Sequence, residues 1–346
     1  MKIKRIVLAS RPGIDKAPVL ENFRLEETDF PENLADGQVL AKTLYLSMDP
    51  YLRYCMNEES AGSFLLIWNI SEVVFSNGIG VVEQSRSSQF KVGDIILYFN
   101  WPWQTKCILD DGSLKKLDPS LVDGHVSHYL GLLGTTGLTS LIGIKLQGHV
   151  TPGANQTMVI SGAAGGCGSL AGQIGRLLGC TRIIGICGTN EKCAVLTSEL
   201  GFDEALNYKM PGLAYKLKAC CPNGVDIYFH NVGGEISDIV ISQMKKNSHL
   251  VLCGQISQYN KAPPFDIDPQ TETNLKECNI ARELFLLPDY SDQFESATLE
   301  LSEWLRAGKL KARETIFHGL ENAPGAFLSM MKGGNIGKQI VQVAEQ

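Results

Sequence analysis

The sequence has no CxxC pair among its ten cysteines, at positions 55, 107, 167, 180, 187, 193, 220, 221, 253 and 278. Chelating zinc lobes usually carry that spacing, so no structural zinc and no other metal site is expected. Positive charge is also short: 31 Lys and Arg stand against 37 Asp and Glu, a formal charge of −6. A nucleic-acid partner asks for a basic footprint, so none is expected. Long apolar runs are missing too. The opening stretch MKIKRIVLASRPG has only Ile6–Ala9 as an apolar run, too short for a secretory signal core. Residues 146–175 carry no charge, but Gln147, His149, Pro152, Asn155 and many glycines interrupt them. They lack the continuous run a membrane span needs. With no signal expected, the thiols read as reduced and the chain as cytoplasmic. No repeat or low-complexity tail is apparent.

What remains is a folded-protein composition of 346 residues, 44% apolar and 20% charged. At about 150 residues per domain that length suggests two domains. The one excess is 35 glycines, a residue used where backbone turns with positive φ or approaches a ligand closely. The first 120 residues read as β-rich. Short apolar stretches at Gln38–Tyr45, Ile79–Glu83 and Asp94–Tyr98 are broken by Gly, Pro, Asn and Asp, which suggests a rolled-up or barrel-like β domain.

The pattern then alternates. Strands are expected at Thr157–Gly162, Arg182–Gly188, Ala205–Tyr208, Val225–Phe229 and His249–Cys253. Helices are expected at Gly168–Leu178, Lys192–Leu200, Leu213–Ala219 and Glu235–Met244. Such alternation indicates a parallel sheet built from βαβ units. Residues 261–275 read as a loop, Ser291–Arg306 as a long helix, and the last forty residues as strand and turn.

Between the first of these strands and its helix lies Ala163-x-Gly165-x-x-Gly168. This is the dinucleotide fingerprint with alanine in the first glycine slot. Glycines there let backbone approach a pyrophosphate, and the helix N-terminus supplies N–H groups and partial positive charge. An NAD site places an acidic residue about 20 residues further on. This sequence instead ends its second strand with Gly188-Thr189-Asn190, followed by Glu191 and Lys192. A lysine there suits a 2′-phosphate and so favours NADPH as cofactor.

Seven segments carry a family resemblance: YLSMDPYLR at Tyr45–Arg53, WPWQT at Trp101–Thr105, AAGGCGS in the glycine loop, CGTNEKC at Cys187–Cys193, NVGG at Asn231–Gly234, CGQISQYN at Cys253–Asn260 and GGNIGK at Gly333–Lys338. In these the chain resembles the zinc-independent branch of the medium-chain dehydrogenase/reductase superfamily, over essentially its whole length. Zinc-dependent relatives carry a Cys at the position of Ser47, a downstream Gly-His-Glu and a four-cysteine lobe, none of which is present. The resemblance implies an α/β fold: a β-rich GroES-like domain from residues 1–127 and 314–346, and a doubly wound Rossmann-type domain from residues 128–313. It implies NADPH-dependent reduction of the carbon–carbon double bond of α,β-unsaturated ketones. The expected substrates are lipid enones, 15-keto prostaglandins going to 13,14-dihydro products.

The site residues it implies are these. Tyr259 is the catalytic hydrogen-bond donor to the ketone oxygen. Gly165, Gly166, Cys167 and Gly168 take the pyrophosphate. Lys192 and Tyr208 take the 2′-phosphate side. Asn231 with Cys253, Gly254, Gln255, Ile256, Ser257, Gln258 and Tyr259 lines the ribose and nicotinamide. Phe285, Leu286, Leu287 and Asn335 close over the nicotinamide end. Phe99 and Asn100 lie along the substrate, and Phe64 stands where relatives place a second tyrosine. His230 stands where relatives have aspartate before NVGG. These two departures keep a catalytically idle NADPH-binding protein open as a reading, and a quinone or xenobiotic reductase of the same superfamily stays open beside it. Monomer and homodimer both stay open.

Three further features need placing. His125-x-x-His128 puts two imidazoles on one helical face, and without a third ligand at chelating spacing it reads as packing between domains. Adjacent Cys220 and Cys221 read as small residues at a helix end. Trp101-Pro102-Trp103 is either a lipid-facing wall or a core corner of the β domain.

Overall fold

The computed structural model describes residues 2–31, 33–59, 66–262 and 267–345. The chain divides into two compact units. One comprises Met1–Leu130, Glu314–Gly334 and Gln339–Gln346, the other Gly131–Arg313 and Asn335–Lys338.

The first unit begins with an antiparallel pair, β1 (Lys2–Leu8) and β2 (Phe23–Asp29). Among the described residues a seven-stranded sheet takes five of its strands from β3 (Gln38–Ser47), β4 (Phe75–Ser85), β5 (Ile95–Pro102), β6 (Lys106–Asp110) and β7 (Lys115–Lys116) and two from the end of the chain, with a one-turn helix α1 (Leu52–Cys55) after β3. Trp101 and Trp103 are fully buried. Their indole N–H groups donate to Thr43 Oγ1 and Ser76 Oγ, each at 2.8 Å. Buried indoles with satisfied N–H groups are core, so the WPW cluster is a core corner and not a lipid-facing wall.

The second unit starts with α2 (Thr135–Gly143), then alternates: β8 (Thr157–Ser161), α3 (Gly166–Leu178), β9 (Arg182–Cys187), α4 (Asn190–Ser198), β10 (Glu204–Asn207), α5 (Leu213–Cys220), β11 (Val225–His230), α6 (Gly234–Ile241) and β12 (Met244–Leu252). The five strands are parallel in the spatial order β10-β9-β8-β11-β12. Counting from β8 this is 3-2-1-4-5, the doubly wound order that reverses between its first and fourth strands. The inner strands β8, β9 and β11 are apolar on both faces: Val159, Ile184, Ile186 and Tyr228 share one buried cluster, and Met158, Ile160, Ile183, Ile227 and Phe229 are buried as well. Helices on both faces require that. Two more helices, α7 (Pro269–Glu277) and α8 (Phe294–Arg306), complete the unit.

The chain then supplies β13 (Glu314–His318), α9 (Ala323–Met331) and β14 (Lys338–Gln342), with β14 pairing antiparallel to β3. Three readings need correction. Residues 269–275 are helical because Asp268 caps α7, accepting from Gln270 N at 2.9 Å and Thr271 N at 3.2 Å, with Pro269 in the first turn. Proline is at home there, so it opens a helix in a segment whose prolines read as breakers. Residues 323–331 are helical for a related reason, with Pro324 in the first turn of α9. The helix expected to run to Met244 stops at Ile241, and Met244 already begins β12.

All ten cysteines are free thiols; Cys220 ends α5 and Cys221 caps it. Among the described residues no helix is long and apolar enough to cross a membrane.

Candidate active site

The switch point of the second unit falls at the C-terminal ends of β8 and β11, and the glycine loop leaves β8 there. Gly162 has φ of +61°, the left-handed conformation that starts the turn, and Gly165 N donates to Gly162 O at 3.0 Å to close it. The turn is too tight for a side chain at its far end. A Cβ on Gly168 would sit 2.3 Å from Gly162 O and 2.7 Å from Ala163 Cα. Ala163 fits the first slot because Gly162 before it takes the positive φ.

Helix α3 starts at Gly166 with Gly165 as its cap, and no side chain caps it. Its first-turn N–H groups therefore converge on the loop without an intrahelical or side-chain acceptor, the arrangement a phosphate satisfies. Residues 335–338 run beside this loop. Gly337 N donates to Ala164 O at 2.7 Å, and Asn335 Nδ2 holds Gly337 O at 2.7 Å. Lys338 is 5% exposed, and its Cδ lies 3.4 Å from where a Gly166 Cβ would be. A buried lysine stem against the glycine loop is a feature that sequence reasoning missed. GGNIGK was its only trace, and only Asn335 was drawn from it. Thr136 and Ser140 of α2 flank the same loop: Ser140 Oγ donates to Cys167 O at 3.0 Å. Nothing in the sequence pattern around α2 announced them.

The turn after β12 is built on the end of β11. Cys253 N and Gly254 N donate to His230 O at 3.0 and 3.1 Å, Ile256 N to Asn231 O at 3.1 Å, and Ser257 N to Val232 O at 3.0 Å. Asn231 is itself held on β8, its Nδ2 donating to Ser161 O at 2.7 Å. Gln258 is buried, and its side chain donates to Ser257 Oγ at 2.8 Å. Tyr259 is half-buried, and its hydroxyl accepts from Gln255 N at 3.3 Å, which directs its proton away from that amide. The Cys167 and Cys253 thiols are hydrogen-bonded, and this contact, with burial, pushes Cys253 well above the usual thiol range. Glycine loop, Asn231, residues 253–259 and Asn335 therefore form one cluster.

At the end of β9, Thr189 caps α4 by accepting from Lys192 N at 3.2 Å. Tyr208 N donates to Cys187 O at 3.0 Å, and the Tyr208 ring covers Gly188. Lys192 is half-buried; burial, and then neighbouring Lys209, draw its pKa below the usual lysine value. A dianion would offset that burial. Phe285 is buried, stacked on Tyr290 with centroids 5.2 Å apart, and its N–H reaches Leu252 O at 3.3 Å, while Leu286 and Leu287 are half-exposed. Phe99 and Asn100 belong to the first unit, where Phe99 stacks on Tyr51 at 6.2 Å and is 45% exposed. Phe64 lies outside the described residues.

His230 is fully buried. Its Nδ1 sits 2.8 Å from the Gly254 carbonyl, so Nδ1 carries the proton and donates. Nε2 is then an acceptor with no partner among the described residues. Burial lowers the His230 pKa to about 4. Between pH 6.5 and about 4 the unfolded chain therefore holds a proton that the folded chain refuses. Stability falls as pH drops through that window and levels off below it. At pH 5 this amounts to about 2 kcal/mol. His230→Asn keeps a donor for Gly254 without titrating. Urea midpoints at pH 7 and pH 5 should therefore differ less in that variant than in the parent, and equal differences would refute the assignment. His125 and His128 lie with ring centroids 5.5 Å apart. Among the described residues no group of three or more His, Cys, Asp or Glu side chains is placed to hold a metal ion.

The family described as N-terminal domain of oxidoreductase matches residues 4–117, and the one described as zinc-binding dehydrogenase matches residues 200–341. The chain is 41% identical to the putative NADP-dependent oxidoreductase YfmJ of Bacillus subtilis (strain 168), covering 99% of this chain and 98% of that one. The chain is a medium-chain dehydrogenase/reductase. This medium-chain dehydrogenase/reductase is also 37% identical to the NADPH-dependent curcumin reductase of Escherichia coli (strain K12), covering 99% and 97%. To prostaglandin reductase 1 of Rattus norvegicus it is 36% identical, covering 94% and 95%. Among solved structures, CurA of Vibrio vulnificus in complex with NADPH superposes with a TM-score of 0.89 at 38% identity, covering 99% of this chain and 100% of that one.

Proposed function

We propose that this chain is an NADPH-dependent reductase of the carbon–carbon double bond of α,β-unsaturated ketones, acting on 15-keto prostaglandins to give 13,14-dihydro-15-keto products. The observation that carries the cofactor is the uncapped N-terminus of α3 behind a turn that admits no Cβ at Gly168. The NADP-dependent relatives support it. The substrate class rests on the motif resemblance to prostaglandin reductase 2. Two relatives support the functional group: curcumin is itself an α,β-unsaturated ketone, and another relative is a prostaglandin reductase.

In this reading the loop 165–168 and the α3 N-terminus hold the pyrophosphate, Lys192 and Tyr208 face the 2′-phosphate, and Asn231, residues 253–259, Phe285–Leu287 and Asn335 hold the ribose and nicotinamide. NADPH held there would supply a hydride for the β-carbon of the alkene, and solvent would supply the proton that the α-carbon needs to complete the dihydro product. Tyr259 then meets the charge that develops on the ketone oxygen as an enolate. A phenol O–H donates a hydrogen bond there without giving up its proton. Such a donor binds the transition state more tightly than the ground state. Phe99 and Asn100 are the proposed substrate contacts, and the loss of a hydroxyl at Phe64 makes Tyr259 the principal side-chain donor.

Steady-state NADPH oxidation tests this with three assays: a 15-keto prostaglandin, a quinone, and no acceptor. Turnover is expected with the prostaglandin, together with a marked preference for NADPH over NADH. Turnover with the quinone alone points to the xenobiotic reductase. Tight NADPH binding without turnover on any acceptor points to the idle binding protein.

A further inference from the structure

The Sγ atoms of Cys187 and Cys193 lie 3.4 Å apart. A disulfide bond is about 2.05 Å, so a shift of little more than 1 Å would join them. Cys187 ends β9 and Cys193 sits in the first turns of α4, and between them lie the Thr189 cap and Lys192. We propose that Cys187 and Cys193 form an oxidation site for hydroperoxides, closing a disulfide that displaces Lys192 and weakens the hold on the 2′-phosphate. The clause on Lys192 rests on the function proposed above; the chemistry of the thiols does not.

The two sulfurs divide the reaction by exposure. Cys193 is half-buried and reachable by a small oxidant, while Cys187 is 4% exposed. Burial, followed by the neighbouring Cys193 thiol, pushes Cys187 up to about 12, so it waits as a thiol. The Cys193 thiolate attacks the distal oxygen of the hydroperoxide, and the alcohol leaves. The resulting sulfenic acid is displaced by Cys187 sulfur, and water leaves. Two thiols and one hydroperoxide thus give one disulfide, one alcohol and one water, and a dithiol reverses the step.

The ring so formed contains the α4 cap. Cys187 Sγ already approaches Thr189 O at 3.8 Å, and Thr189 Oγ1 holds Lys192 N at 3.2 Å. Drawing Cys193 inward turns the first turn of α4 about that cap and moves the Lys192 ammonium with it. Losing one charge-assisted hydrogen bond corresponds to about 10- to 100-fold in affinity.

The test uses the purified full chain with one equivalent of hydrogen peroxide. Trypsin cuts after Lys192, so the disulfide joins two separate peptides, Ile183–Lys192 and Cys193–Lys209, into one species two hydrogens lighter than their sum. That species should appear, vanish with dithiothreitol, and be missing from Cys193→Ser. In parallel, the dissociation constant for NADPH should rise about 10-fold or more while that for NADH holds, and Cys193→Ser should keep its NADPH affinity after peroxide. Failure to find the joined peptide overturns the site. Finding it with NADPH and NADH affinities both unchanged overturns the coupling. Reduced Lys192→Ala separates the two readings: if it binds NADPH as the parent does, the role of Lys192 falls while the disulfide stands on the peptide alone.

Discussion

Replacing Tyr259 by Phe should lower kcat on a 15-keto prostaglandin by about 100- to 1,000-fold, with the dissociation constant for NADPH and the melting temperature close to the parent's. The size follows from removing one preorganised donor to a developing oxyanion. The selectivity for kcat follows from where the hydroxyl sits. The ring is held by a turn anchored through four backbone hydrogen bonds to residues 230–232, none of which uses the phenol. The hydroxyl accepts from Gln255 N at a long 3.3 Å. Phe keeps the ring and its packing, and the interaction it deletes is made chiefly in the transition state, so KM moves little. Pre-steady-state hydride transfer followed at the nicotinamide absorbance is the direct measurement. A variant within threefold of the parent would remove Tyr259 from the chemistry.

The parallel sheet was readable because Thr157–Ser161, Arg182–Cys187 and Val225–His230 are short, almost wholly buried strands, each followed by a helix. Thr157–Ser161 and Arg182–Cys187 differ from the expected strands by one residue at one end. The glycine loop was readable because its constraint is local: the backbone of Gly162 and Ala163 leaves no room for a Cβ at Gly168, a few residues along the chain. The helices that escaped notice have local signals that point elsewhere. Thr135–Gly143 is rich in Thr and Gly, poor helix formers, and is helical because burial of nearly every residue overrides propensity. Pro269 and Pro324 sit in first turns, where a residue counted as a breaker does no harm.

The site shows the same division. Lys338 sits more than 150 residues from the loop it flanks, and only tertiary structure joins Gly337 to Ala164. His230 could be seen as a departure, but its consequence could not. The imidazole is satisfied on one nitrogen by Gly254, which follows from the register of β11 against β12 and not from any spacing along the chain.

The second large effect belongs to Gly168→Ala. The added Cβ would lie 2.3 Å from Gly162 O, 2.7 Å from Ala163 Cα and 2.9 Å from Gly162 C. All three are backbone atoms, so no rotamer change relieves the overlap. Either the turn opens or the first turn of α3 withdraws, and both move the N–H groups that the pyrophosphate needs. Affinity for NADPH should fall by at least about 100-fold, since more than one hydrogen bond to a charged group is lost at once. Unfolding free energy should fall by about 2 to 4 kcal/mol, the range for overpacking against atoms that cannot give. Gly325→Ala supplies the contrast. Gly325 lies in α9, and nothing stands within 4 Å of where its Cβ would be. There alanine should raise stability by up to about 1 kcal/mol through helix propensity alone and leave NADPH binding unchanged. Isothermal titration with NADPH and urea denaturation of the two variants side by side read both effects. Parent-like affinity in Gly168→Ala would mean that the coenzyme does not rest on this turn.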